Sequence, residues 1–518
     1  MQSTGGGVFY VDLGSVKNVS AVYILVKQGS INYEIYSGQP GSWNFKRAGS
    51  VDNYYQWLEV RIDDLTQFVR FVLQASNGEI AEISALDSGG KKIVVKAVRS
   101  EYSEDPSLIR LIDEQDKIEC PPTYESQTYF DEIYYVRTAE DYLNRRDAYE
   151  WTQPPLGKLI LTAGIFVFCF TPFGWRIIGV LFGVLMIPIM YLFGKKMFGT
   201  WIGAFTAAFL MVFDFMHFTM ARIATIDTFI VFFSILSQLF FLIYLKNVLS
   251  QGWETSTRPL LLSTVFFAFG LSTKWYALLG FLGQLFILLV LRVRGLPTSE
   301  QGTPRKEGFF SRPFFNVVTF LLIALGIYLL TYVPYIIAGH SVEDVFRLQW
   351  SMYNYHATLL ASHPFASPWW SWPLITRPVW LCVSNLPGGT VSTIAAMGNP
   401  AIWWVGLASV ALAVEEAVRK KNHVCLFIAT VFLFQWLPYA VISRVLFLYA
   451  FYSNVPMMIL ATVYFINKYW NIKRWKTIVL FYFIVVAVIF AVFYPIISGM
   501  PASSSWIDGL KWMRSWVF

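Results

Sequence analysis

Charge is scarce in this chain. Only 14% of its 518 residues are Asp, Glu, Lys or Arg, whereas 56% are hydrophobic. That balance excludes a large soluble protein and fits a chain that crosses a membrane many times. Cysteine is scarcer still: Cys120, Cys169, Cys382 and Cys425 are scattered, three of them in or beside apolar runs. They form neither a disulfide framework nor a zinc-ligand spacing. Residues 1–30 also lack an apolar stretch of the kind found in signal peptides or spans. The formal charge of +7 would suggest an acidic partner in a soluble protein. Here the placement of the cations carries more information than their sum, and they give no indication of nucleic-acid binding.

What the chain does have is aromatic and apolar mass, including 20 Trp, 28 Tyr and 45 Phe. From Trp175 onward, ten apolar runs follow one another, at about 175–194, 200–219, 224–245, 259–273, 275–292, 314–337, 401–418, 424–442, 446–467 and 477–497. Each must be helical, because lipid cannot satisfy an open backbone. Sixteen basic residues, from Lys195 and Lys196 through Arg305 and Lys306 to Lys476, fall in one set of connections. The opposite set holds seven: Arg222, Lys274, Arg347, Arg377, Arg444, Lys511 and Arg514. The richer set is expected to be cytoplasmic. This makes the chain a multi-pass plasma-membrane protein whose residues before Trp175, loop 338–400 and tail 498–518 lie outside. An outer N-terminal domain needs a preceding span, so the native protein is expected to carry one more N-terminal transmembrane helix.

Residues 1–118 read as a separate β-sandwich. The segments 8–14, 22–26, 57–62 and 68–73 are rich in β-branched and aromatic residues and are separated by Gly, Asn and Ser clusters. The pattern resembles a discoidin-like or galactose-binding jelly roll. Binding a sugar or a surface and acting as a spacer remain equal readings of this domain. Residues 119–174 then form an outer-face segment: a turn-rich connector, a helix over 130–146, the Pro154-Pro155 break, and a short interfacial or re-entrant piece at 157–170. Residues 175–497 are the transmembrane bundle.

The adjacent acids Asp131 and Glu132 lie where the outer domain meets the membrane. A carboxylate against apolar walls can act as a general base, although such a pair more often sits on a solvated helix end. Arg176, Asp214, Arg222, Asp227, Lys274 and Arg444 fall at the outer ends of the apolar runs. Charges are costly at the centre of a span and less so at its ends, and four cations on one face beside acids suit a phosphate-bearing substrate. Taken singly, each cation could equally snorkel to headgroups. Loop 338–400 adds Trp350, Trp369, Trp370, Trp372 and Trp380, which suit either an interfacial belt or sugar stacking.

Phe130-Asp131-Glu132-Ile133-Tyr134, "PPLGKLILTAG", "GWRIIGVLFGVLMIPIMY", "ARIATIDTFIVFFSIL", "GLSTKWYAL", "HPFASPWWSWPL", "GNPAIWW" and "ISRVLFLYAFYSNVP" occur in this order. Over about residues 119–470 the chain thereby resembles the protein O-mannosyltransferases, glycosyltransferase family 39, with the membrane-embedded GT-C architecture. The preceding discoidin-like domain resembles the bacterial, lipid-carrier-dependent members. The resemblance implies inverting transfer of a sugar, typically mannose, from a polyprenyl-phosphate carrier to a hydroxyl, foremost a protein Ser or Thr, with a lipid or cell-surface glycan as the alternative acceptor. It implies Asp131 as general base, Glu132 shaping the site, and Arg176 and Arg444 on the carrier phosphate. Gln153, Lys158, Arg222, Asp227, Lys274 and His363 would form the surroundings. Gln153 departs from the family pattern, which usually has His before the Pro-Pro pair; Gln can neither titrate near neutral pH nor act as a cation. No complete metal site is visible, and the Asp-Glu pair alone is weak support for a divalent ion. The competing classes are a transporter, since charge within a membrane also marks transport paths, and a non-catalytic sugar-binding surface protein.

Overall fold

The computed structural model describes residues 7–75, 78–101, 105–294 and 312–518; Arg305 and Lys306 lie outside them. The chain divides into two units. One comprises Met1–Ile133, Leu381–Ile394 and Ser498–Leu510, and the other Tyr134–Trp380, Ala395–Ile497 and Lys511–Phe518.

The first unit is built on two long antiparallel strands, β1 (Gly7–Gln39) and β2 (Ser42–Ala75), joined by β3 (Glu79–Asp87), β4 (Lys92–Ile93) and β5 (Ala97–Ser100). The order is β2-β1-β3-β4, with β5 on β1. Residues Ile31–Gly38 of β1 pair with both Val51–Trp43 and Ala75–Phe68, so β2 folds back along its partner. Register shifts at Asp12/Lys17 and Val19/Ala21 break the strict alternation of side chains, as bulges do. The four shorter strands expected from the sequence are therefore parts of two bent ones. Val11, Val22, Ile24, Ile35, Val60, Val69, Phe71 and Ile83 close one core, with Phe9 stacked on Phe71 at 5.2 Å. This is the layered packing of a β-sandwich.

The connector that follows is fastened along β2. Trp57 N–H donates to Gln127 Oε1 (3.0 Å) and Trp57 Nε1 to Ser126 Oγ (3.2 Å). Thr128 N–H and Oγ1 donate to the carbonyls of Tyr55 (2.9 Å) and Tyr54 (2.7 Å). A smaller sheet, β6 (Val379–Leu386), β7 (Thr390–Ala396) and β8 (Ala502–Ser503) in that order, brings together segments far apart in the chain. Ser392 Oγ donates to the Gly499 carbonyl at 2.6 Å.

The second unit is helical. The helix expected over 130–146 is α1 (Glu132–Leu143), whose first residues belong to the other unit, and the short apolar piece is α2 (Leu156–Phe168). The bundle continues with α3 (Pro172–Phe198), α4 (Trp201–Val212), α5 (Phe215–Ala221), α6 (Asp227–Gln251), α7 (Arg258–Leu271) and α8 (Ala277–Arg294). Then come α9 (Arg312–Leu330), α10 (Val333–Ile337), α11 (Val342–Thr358), α12 (Pro400–Arg419), α13 (His423–Trp436), α14 (Val455–Lys468) and α15 (Lys473–Ser498). Small residues let neighbours approach: a Cβ on Gly194 of α3 would stand 2.4 Å from the Gly203 carbonyl of α4, the close backbone contact that membrane helices favour.

Among the described residues, seven helices are long and apolar enough to cross a membrane, or eight if the bent pair α4–α5 is one span. Ten were expected, and the difference has two causes. The turn at Ser272–Tyr276 leaves α7 and α8 as shorter apolar helices; the 14 residues of α7 reach roughly 21 Å against a hydrocarbon core of about 30 Å. The run at 200–219 breaks by 59° because Asp214 caps a new helix through His217 N–H (2.9 Å). Asn399 Nδ2 satisfies the Phe213 carbonyl at the break (2.9 Å), and Trp403 Nε1 holds the other Asp214 oxygen (2.7 Å). Asp214 is thus a structural cap.

Candidate active site

In the first unit, the fastened connector delivers the chain to Asp131 and Glu132. Glu132 is fully buried, and its Oε2 accepts the Tyr129 N–H (3.2 Å) while its own N–H donates to the Tyr129 carbonyl (3.2 Å). A side chain that closes the turn at its own helix start is committed to shape. Phe130 has φ of 52°, a left-handed conformation that bulky residues rarely adopt and that costs about 1–3 kcal/mol. Bonds on both sides hold it there. Asp131, half-buried, immediately precedes α1.

In the second unit, the segment between α1 and α2 is organised around Lys158. Its side chain is 1% exposed, and its ammonium donates to Glu150 Oε2 (2.8 Å), the Glu150 carbonyl (2.6 Å) and the Gln153 carbonyl (2.7 Å). Three donors with three acceptors leave Lys158 nothing for a ligand, so it fixes the loop. Burial works against the Glu150 carboxylate, but Lys158 and the Thr152 hydrogen bonds outweigh it and hold its pKa below the usual value. The Leu156 N–H donates to the Ser272 carbonyl (3.0 Å). A Cβ on Gly157 would meet Ile226 at 2.7 Å and Thr273 at 3.0 Å. Only glycine lets the loop seat against the turns that carry Asp227 and Lys274.

Arg444 reaches the same place. Its Nη1 is hydrogen-bonded to His356 Nδ1. Arginine can only donate, so Nδ1 accepts and the imidazole proton resides on Nε2, which donates to the Thr152 carbonyl at 2.8 Å. The Gln153 amide end lies 3.2 Å from the same Nε2. Burial, followed by the neighbouring Arg444, pushes the His356 pKa below its ordinary 6.5, in keeping with a neutral ring. Arg444 is therefore held by an uncharged partner, and among the described residues no carboxylate pairs with it.

The other expected residues divide. Lys274 donates to Asp227 Oδ1 (2.8 Å), which also accepts from the Tyr276 hydroxyl (3.1 Å). The Lys274 charge is thereby answered within the protein. Trp275, next along, meets His356 edge-on at 6.3 Å, which joins this turn to the Arg444 group. Arg176, near the start of α3, lies 6.0 Å from the Trp175 ring, and Arg222 lies over Phe218 at 5.0 Å. His363 is exposed; its Nδ1 takes the Phe365 N–H (3.2 Å) and its ring packs on Phe447 at 5.0 Å. These contacts run elsewhere than to Gln153, His356 and Arg444.

Three residues of the cluster escaped the sequence reading: Glu150, Tyr276 and His356. His356 could have been found. Ser341 and Asp344 form a capping box for α11, and Val345, Gln349, Met352 and His356 then follow at helical spacing on one inward face. Glu150 and Tyr276 had no such signal. Among the described residues, no group of three His, Cys, Asp or Glu is placed to hold a metal ion.

The chain is similar to known proteins along most of its helical unit. Residues 166–339 match the family model described as dolichyl-phosphate-mannose-protein mannosyltransferase. Residues 341–516 match the one for the C-terminal four-TMM region of protein-O-mannosyltransferase. The polyprenol-phosphate-mannose–protein mannosyltransferase of Mycolicibacterium smegmatis is 23% identical over 465 residues, 76% of this chain and 89% of that protein. Its Mycobacterium tuberculosis counterpart is 22% identical over 458 residues, 75% and 86% of the two chains. Among solved structures, the Saccharomyces cerevisiae protein O-mannosyltransferase Pmt1-Pmt2 complex bound to the sugar donor shares the fold. It aligns with a TM-score of 0.64 at 12% identity, covering 76% of this chain and 89% of that one.

Proposed function

Since the chain belongs to the protein O-mannosyltransferase family, we propose that it transfers mannose from a polyprenyl-phosphate carrier to a Ser or Thr hydroxyl of a protein, with inversion. The observation that carries this reading is Arg444: a permanent cation, half-buried, held by a neutral imidazole and so left to meet an anion. A carrier phosphate is such an anion. In the proposed reaction the Asp131 carboxylate takes the proton of the acceptor hydroxyl. The hydroxyl oxygen attacks the anomeric carbon opposite the phosphate, and the bond from that carbon to the phosphate oxygen breaks. The electron pair leaves on the phosphate, where Arg444 and Arg176 stabilise the developing charge. Glu132 acts by shaping the turn, and Lys158, Gln153 and the Lys274–Asp227 pair by building the walls. The distribution of basic residues supports a plasma-membrane enzyme with its catalytic face outside.

The test uses membranes containing the full chain, supplied with polyprenyl-phosphate-[radiolabelled mannose]. Label should move into protein and stop doing so in Asp131→Asn, since a positioned general base contributes about 10²–10⁴-fold. Label entering lipid or glycan would keep the reaction and change the acceptor. An Asp131→Asn variant with full activity would remove the base assignment, and no transfer from any polyprenyl-phosphate sugar would favour a transport role.

A further inference from the structure

The contact between His356 and Arg444 has an unusual polarity. Guanidinium groups are commonly oriented by carboxylates, which also cancel their charge. Here the orienting atom is a ring nitrogen whose acceptor character depends on the ring remaining neutral. We propose that His356 is a positioning residue for the donor phosphate, a proton-sensitive latch that holds Arg444 in its phosphate-binding place only while Nδ1 is unprotonated. This rests on the reading of Arg444 as the phosphate contact.

The surroundings define what protonation would do. Nε2–H is already committed to the Thr152 carbonyl, so an added proton goes to Nδ1, facing Arg444. Two donors and two positive charges would then meet, and the flexible arginine is the partner able to leave. The ring is enclosed by the Gln153 amide, Trp275 and Tyr355. The charged groups acting on it, besides Arg444, are Glu150, which favours the imidazolium, and Lys274, which opposes it. Burial and Arg444 prevail and push the pKa below 6.5, so the latch is set at neutral pH and opens in acid.

The experiment follows binding of polyprenyl phosphate to the purified full chain between pH 5 and 8, with mannose transfer measured in parallel. The variants are His356→Ala and His356→Asn. The Asn Oδ1 stands near the position of Nδ1 and accepts a hydrogen bond without titrating. Wild type should lose affinity as pH falls through the lowered imidazole pKa. His356→Ala should bind about tenfold more weakly at pH 7, the scale of one charge-assisted hydrogen bond, with its effect on transfer in both the donor KM and kcat, because Arg444 also meets the charge that develops on the leaving phosphate. His356→Asn should restore binding and remove the acid loss. Unchanged affinity in His356→Ala, or a wild-type acid limb in His356→Asn, would overturn the latch. A wild type that binds polyprenyl phosphate in the predicted pH-dependent way yet transfers no sugar would overturn the transferase reading and leave the latch standing. A wild type that does not bind the carrier would remove both.

Discussion

Glu82 of the β unit is buried and Glu150 of the helical unit nearly so, and the two carboxyls resolve the same difficulty in opposite ways. Glu150 has the Lys158 ammonium at 2.8 Å and stays ionised. Glu82 is 3% exposed, with Oε1 lacking a partner among the described residues, and has no cation at contact. Burial, then the nearby Asp113 and Glu114, push its pKa up to about 8, so at neutral pH it keeps its proton. An acid with no cation in contact can surrender its charge, and the backbone hydrogen bond from Glu114 does not prevent it. Arg444 is the mirror case: its nearest partner is neutral, but a guanidinium cannot deprotonate in a protein. Its charge remains, which marks it as a residue placed for something that arrives. Counting which buried charges are answered separates framework from site more sharply than counting charges.

Breaking the answered pair should have the largest effect. Glu150→Ala strands a buried ammonium and should destabilise the helical unit by about 3–5 kcal/mol, whereas Glu150→Ala with Lys158→Met should recover much of that; thermal unfolding in detergent measures both. Arg444→Ala should leave unfolding nearly unchanged and lower kcat/KM for the donor by about 10–100-fold, the value of a hydrogen bond to a charged group. Glu82→Gln should stabilise the β unit by about 1–3 kcal/mol at pH 8, and here the sign is informative. Folding raises the Glu82 pKa above its unfolded value of 4.5, so the folded state holds the extra proton and stability falls as pH climbs from 4.5 to about 8. Glu150 slopes the other way: its pKa is lowered, and its contribution is lost as pH drops through the folded value. Stability profiles over pH 4–9 in the wild type and Glu82→Gln check this, and a slope unchanged in the variant would assign it to other groups. The smallest effect expected is from Thr128→Val, about 0.5–1.5 kcal/mol for the hydrogen bond to the Tyr54 carbonyl.

The helical class, the β domain and the family were legible because apolar runs, alternation and long motifs are local properties of sequence. Pairings were not. Nothing near Lys274 in the chain announces that Asp227, 47 residues earlier, cancels its charge, or that Lys158 is sealed by three acceptors. Gln153 looked like the loss of a histidine function. Its amide instead lies against His356, 203 residues later, a contact that only folding creates. His363 drew attention because it opens a motif, whereas His356 lies one helical face away from notice. The break at Asp214 was hidden for a related reason: an N-cap inside an apolar run reads as a misplaced charge until the second helix is seen.

The fastening of Gln127 and Thr128 to β2 bears on how relatives of this chain can be recombined. A chimera cut near residue 118, where composition changes, would pair a foreign β domain with a connector whose contacts on Tyr54, Tyr55 and Trp57 it does not possess. Moving the cut beyond Tyr129 transfers the strand and the connector together. The interchangeable part is thus about a dozen residues longer than the domain, and it ends just short of Asp131.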